Sequence, residues 1–91
     1  MTVQGNLIAG EWVASSAAMD NINPSDTREI IGQFALGTIA DVKNAVAAAR
    51  AAAPAWARTT TQARSDILLK VSSELTDRRD ELGELLSREE G

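Results

Sequence analysis

Apolar residues follow two different patterns along this chain, and the change between them constrains the fold more than any other feature. Up to Gly37 they come in brief runs separated by glycine, proline and small polar residues, which is typical of short strands and turns. From Thr38 onward they recur every three or four residues, which is typical of amphipathic helices. The sequence therefore predicts an α/β fold in one partial domain, residues 1–91, with strands and turns over 1–37 and helices over 38–91.

The first strands are predicted to form a hairpin. Leu7-Ile8 and Trp12-Val13 are short apolar runs, and Ala9-Gly10 between them supplies turn residues. Residues 14–21 carry small and polar side chains without periodicity. We therefore expect an exposed connection over 14–21.

A chain reversal and one longer strand are predicted next. Proline favours extended geometry at the residue before it, and serine and aspartate bond local backbone groups, so Asn23-Pro24-Ser25-Asp26 predicts a turn. Residues 29–37 are rich in strand-favouring side chains and predict a strand. Within it Gly32 is expected at a bulge and Gly37 at the end.

The first helix is predicted to begin after Thr38 and to end at Pro54. The spacing lets the Thr38 side chain accept a hydrogen bond from a free backbone N–H while Asp41 lies in the electropositive first turn. Proline has no N–H to continue the helix. Its apolar positions at helical spacing are Ile39, Val42, Val46, Ala49 and Ala53.

Further helical structure is predicted after Thr59-Thr60-Thr61, whose hydroxyls can cap a helix. A charged join at 77–81 interrupts this stretch, so either one long helix or two nearly collinear helices would fit, and we predict three helices in all. Fewer than three unbroken heptads favour an ordinary core-facing stripe over a coiled coil. The apolar positions of this stripe are Ile67, Leu68, Val71, Leu75, Leu82, Leu85 and Leu86.

The composition excludes several classes of function. The chain has no histidine and no cysteine, so catalysis by those side chains and the common zinc sites are absent. A net charge of -4 with scattered cations argues against nucleic-acid binding, and the longest apolar stretch, 51–57, is too short to span a membrane. Because the first cation is Arg28, the charged start of a signal peptide is missing, and we expect a cytoplasmic protein.

Three groups of residues could carry function but favour structural roles. Trp12 and Trp56 are expected to be buried pins, because three aromatic side chains cannot build a stacking platform. The carboxylates of Glu74, Asp77, Glu81 and Glu84 have helical spacing, but interleaved arginines favour a solvated, ion-paired face. The six glycines form no phosphate-binding loop, so we assign no catalytic, cofactor-binding or metal-binding residue.

The helices are expected to leave apolar faces that this chain does not cover. The sequence stops at Gly91, a residue that usually ends a helix and leads onward, so we expect a piece of a larger protein. The alternative is a free-standing acidic module that buries its helical stripe against a protein partner.

An ordered set of motifs resembles the N-terminus of the aldehyde dehydrogenase superfamily. The resemblance extends over essentially the whole chain. Its members are Leu7-Ile8-Ala9-Gly10-Glu11-Trp12-Val13, Ile22-Asn23-Pro24-Ser25-Asp26-Thr27-Arg28-Glu29-Ile30-Ile31-Gly32, Asp41-Val42, Ala45-Val46-Ala47-Ala48-Ala49-Arg50, Ala55-Trp56, Arg64 with Ile67-Leu68-Lys70, and Glu74-Leu75 through Arg88-Glu89-Glu90-Gly91.

The resemblance implies a longer cytosolic enzyme that oxidises an aldehyde to a carboxylic acid with NAD or NADP. Its reactive cysteine, glutamate and asparagine and its cofactor contacts would lie outside 1–91, so this chain alone would be inactive and bind no cofactor. It would form the outer part of the dinucleotide-binding domain, with the remainder of the polypeptide as its partner.

The resemblance also carries finer implications. The complete enzyme would be a homo-oligomer, a dimer or a tetramer. The Asn-Pro-Ser-Asp-Thr run most resembles enzymes acting on semialdehydes such as α-ketoglutaric semialdehyde. In some members backbone oxygens before this turn help to bind a monovalent cation, which would point to Ile22 and Asn21.

Overall fold

The computed structural model describes residues 2–91, and the order of elements follows the predicted change from strands to helices. The strands lie within residues 3–35 and the helices within 39–90. The elements are β1 (Val3–Gln4), β2 (Asn6–Ile8), β3 (Glu11–Val13), β4 (Ala18–Ile22), β5 (Ile30–Ala35), α1 (Ile39–Ala57), α2 (Thr61–Asp77) and α3 (Arg79–Glu90).

The predicted hairpin is confirmed as the antiparallel pair β2–β3, in which Leu7 lies opposite Trp12. Ala9 and Gly10 form its two-residue turn with φ angles of 52° and 79°. Positive φ at both central residues matches the twist of the flanking strands. Glycine adopts this conformation without a steric penalty, whereas Ala9 is the unusual residue of the turn.

The prediction of an exposed connection over 14–21 is wrong in its second half, because β4 begins at Ala18. This strand pairs antiparallel with β5, starting with Ala18 opposite Ala35. β1, which was not predicted, runs parallel to β5 on its other side, with Val3 opposite Gln33. Both strands are formed through backbone hydrogen bonds to a distant strand, so their own side chains carry little local signal.

The predicted chain reversal between β4 and β5 is confirmed. The Asn23 N–H donates to the Glu29 carbonyl at 3.1 Å, and the Asp26 N–H donates to the Asn23 carbonyl at 3.2 Å. The Asn23 side-chain oxygen accepts from the Ser25 N–H at 2.9 Å, which closes an Asx turn.

The bulge predicted at Gly32 is found one residue away. Asn21 pairs with Gly32 and Ile22 pairs with Ile30, so the ladder passes over Ile31. At this point β5 therefore contains one residue more than β4, which makes it a β-bulge.

Both predicted helix starts are confirmed with their capping side chains. The Thr38 hydroxyl accepts from the Asp41 N–H at 3.1 Å, and the Asp41 carboxylate accepts from the Thr38 N–H at 3.0 Å. This reciprocal pair is a capping box. At α2 the Thr60 hydroxyl accepts from the Ala63 N–H at 3.0 Å.

The prediction that Pro54 ends the first helix is wrong, because α1 continues through Pro54 to Ala57. The missing proline N–H removes one hydrogen bond from the helix. The backbone after it closes through tighter bonds, from the Arg58 N–H to the Ala55 carbonyl and from the Thr59 N–H to the Trp56 carbonyl, both at 3.1 Å. These bonds end the helix one turn later than the proline predicts.

Two helices, not one, follow α1. Arg78 adopts φ -100° and ψ 15° and separates α2 from α3. Its guanidinium bridges the break, at 3.8 Å from the Glu74 carboxylate and 2.8 Å from the Glu81 carboxylate. α3 ends at Gly91, whose φ of 81° is the left-handed conformation expected of a helix-ending glycine.

The chain is extended and buries almost nothing by itself. Its radius of gyration is 16.9 Å, whereas a compact domain of this length has about 12 Å. Among residues 2–91 the one buried side chain is that of Ala35, which is 8% exposed. The expectation of uncovered helix faces is confirmed, but the burial predicted for the tryptophans is wrong within this chain. Trp12 is 72% exposed, and Trp56, over which the Arg64 side chain lies, is 49% exposed.

Candidate functional site

The chemistry available in the described residues is limited to carboxylates, cations and hydroxyls. Among residues 2–91 no cluster of three or more potential metal ligands occurs. None of the helices within 2–91 combines the length and the apolar character that a membrane span requires. The sequence predicts an ion-paired face for Glu74, Asp77, Glu81 and Glu84, and of these four Glu74 and Glu81 are paired with Arg78.

The polar contacts that join distant parts of the chain concentrate where α3 meets the turn between β4 and β5. We call this group the turn junction. Its bonds run from the Arg88 guanidinium to the Glu29 carboxylate at 2.6 Å, from the Asn21 amide to the Glu89 carboxylate at 3.0 Å, and from the Ser25 hydroxyl to the Gly91 carbonyl at 2.8 Å. These bonds connect the end of α3 to the sheet that contains β4 and β5.

Glu29 is the centre of the turn junction. One carboxylate oxygen accepts from the Asn23 amide at 2.9 Å, and the other accepts from Arg88. The hydrogen bond from Asn23 and then the hydrogen bond and positive charge of Arg88 hold the pKa of Glu29 below its ordinary value of 4.5. The Glu29 carboxylate is therefore ionised at neutral pH and binds the end of α3. A general acid would need a raised pKa instead.

A second cluster closes the corner between α1 and α2. The Arg64 guanidinium donates to the Trp56 carbonyl at 2.8 Å, to the Ala57 carbonyl at 3.1 Å and to the Thr59 hydroxyl at 2.9 Å. It also lies 5.5 Å from the centre of the Trp56 ring. A cation at a helix C-terminus bonds its free carbonyls, so Arg64 stabilises the last turn of α1, which lies after Pro54.

Sequence reasoning did not assign a role to Arg64, Glu29 or Arg88. All three belong to the motifs that carry the family resemblance, which was the signal available in the sequence. Their partners lie on other elements, so residue spacing alone could not identify the bonds.

No dinucleotide-binding residue is assigned within 1–91, and that assignment stays a prediction. At the start of α1 the Asp41 carboxylate accepts from the Thr38 N–H, and its negative charge would repel a phosphate; no glycine-rich turn precedes this helix. Asn21 and Ile22, which the resemblance places at a monovalent cation, pair with β5, and the cation itself stays a prediction.

The family comparison gives a single assignment. The model for the aldehyde dehydrogenase family matches residues 12–91. Malonate-semialdehyde dehydrogenase 2 of Bacillus thuringiensis (strain Al Hakam) is 40% identical to this chain, over 100% of this chain and 20% of that protein. An aldehyde dehydrogenase of Deinococcus radiodurans is 42% identical over 77% of this chain and 14% of that protein.

A solved structure gives the same result for the fold. A protein from Sinorhizobium meliloti 1021, assigned as a methylmalonate-semialdehyde dehydrogenase and solved in complex with NAD, is similar with a TM-score of 0.80 at 39% identity. The similarity covers 97% of this chain and 18% of that one. The chain thus spans about a fifth of the length of such relatives, corresponding to the N-terminal part of their domain, and it belongs to the aldehyde dehydrogenase family.

Proposed function

We propose that this chain serves as the N-terminal structural segment of an NAD-dependent semialdehyde dehydrogenase. The observation that carries the proposal is that the whole chain matches about a fifth of such enzymes at 38–40% identity. The semialdehyde class follows from the names of these relatives, which specify malonate and methylmalonate semialdehyde. That the substrate is α-ketoglutaric semialdehyde in particular stays a prediction.

The structural role accounts for the geometry of the segment. The strands and helices are well formed, with capped helix starts and paired strands, yet their apolar sides face solvent. A segment with these properties gains its burial energy only when other parts of the domain cover it. The group that accepts hydride and the residues that attack the aldehyde would be supplied by the rest of the enzyme.

A chimera tests this proposal. Residues 1–91 replace the matching segment of the Bacillus thuringiensis malonate-semialdehyde dehydrogenase, and NAD reduction with malonate semialdehyde is measured under conditions in which the parent enzyme is active. We expect the chimera to retain activity and a parent enzyme lacking the segment to lose it. A chimera that melts like the parent but does not reduce NAD would refute the proposed role.

Three further properties are proposed from the family resemblance. The complete enzyme is expected to be a cytoplasmic homo-oligomer, a dimer or a tetramer, and to prefer NAD over NADP. Support for NAD comes from the ligand of the similar solved structure. Light scattering of the purified enzyme and parallel assays with both cofactors measure the oligomeric state and the preference.

A further inference from the structure

We draw no further inference here: the strongest candidate, the exposed apolar face of α1 that Ile39, Val42 and Val46 form, carries nothing, because no contact among residues 2–91 shows what covers it.

Discussion

Replacement of Arg64 by alanine should loosen the corner between α1 and α2 without unfolding either helix. The guanidinium satisfies the carbonyls of Trp56 and Ala57, bonds Thr59 and covers the Trp56 ring. Alanine removes all four interactions but keeps the helical propensity of α2. The corner should therefore open more often while the rest of α2 stays formed.

The size of the effect follows from what replaces each interaction. The Trp56 carbonyl keeps its bonds from the Thr59 N–H and hydroxyl, and the exposed Ala57 carbonyl exchanges its bond for hydration, so the lost hydrogen bonds count at the low end of their range. The cation over the ring contributes about 0.5–1 kcal/mol, and a cation at a helix C-terminus contributes about 0.3–1 kcal/mol. With the hydrogen bonds included, we expect about 2 kcal/mol of local stability, which corresponds to about thirtyfold in an opening equilibrium.

Hydrogen exchange of the chimera measures this opening directly. Amides over 55–64 should exchange about thirtyfold faster in Arg64→Ala, and those over 66–76 should be unchanged. Arg64→Lys keeps the charge but loses the planar donor pattern, so it should recover less than half of the protection. Unchanged exchange over 55–64 in Arg64→Ala, or full protection in Arg64→Lys, would refute this account of the corner.

Three further predictions concern other parts of the chain. Because the pKa of Glu29 is lowered in the folded state, this carboxylate stabilises the fold above its ordinary pKa of 4.5, and that stabilisation is lost as the pH falls through the lower folded value. Hydrogen exchange at the end of α3 should therefore accelerate in acid. Glu29→Gln should remove this pH dependence. Thr38→Ala should lower the stability of the start of α1 by about 1 kcal/mol, because the helix loses its cap, and hydrogen exchange there should become faster. Thr27→Ala, in the turn between β4 and β5, serves as the control. Gly5→Ala places a Cβ 2.8 Å from the Val13 carbonyl and should lower the melting temperature, whereas Gly83→Ala enters open space in α3 and should raise it; the reverse order would contradict the geometry.

The helices were predictable from the sequence because their signals are local. The Thr38 cap and the Thr60 cap lie within three residues of the N–H groups they satisfy. The hairpin was predictable for the same reason, since β2 and β3 are joined by two residues. The prediction of the family also succeeded, because the ordered set of motifs is specific even though each one is weak.

The misses share a physical cause, which is that their determinants lie far away in the sequence. β4 exists because β5 offers it hydrogen-bond partners, and the last turn of α1, after Pro54, receives hydrogen bonds from Arg64 on the next helix. The tryptophans were expected to be buried, but burial depends on elements beyond this segment, so Trp12 lies in solvent here. Patterns among neighbouring residues do not indicate any of these long-range contacts.

The near absence of internal burial has a consequence for how such a segment evolves. Because Ala35, at 8% exposed, is the one buried side chain in the described range, a change at Val46 or Leu75 creates no cavity that another residue of the segment could fill. Compensating substitutions must then arise in whatever surface lies over these positions. Aligned family sequences should accordingly show the apolar helix positions covarying with residues outside 1–91 more strongly than with one another.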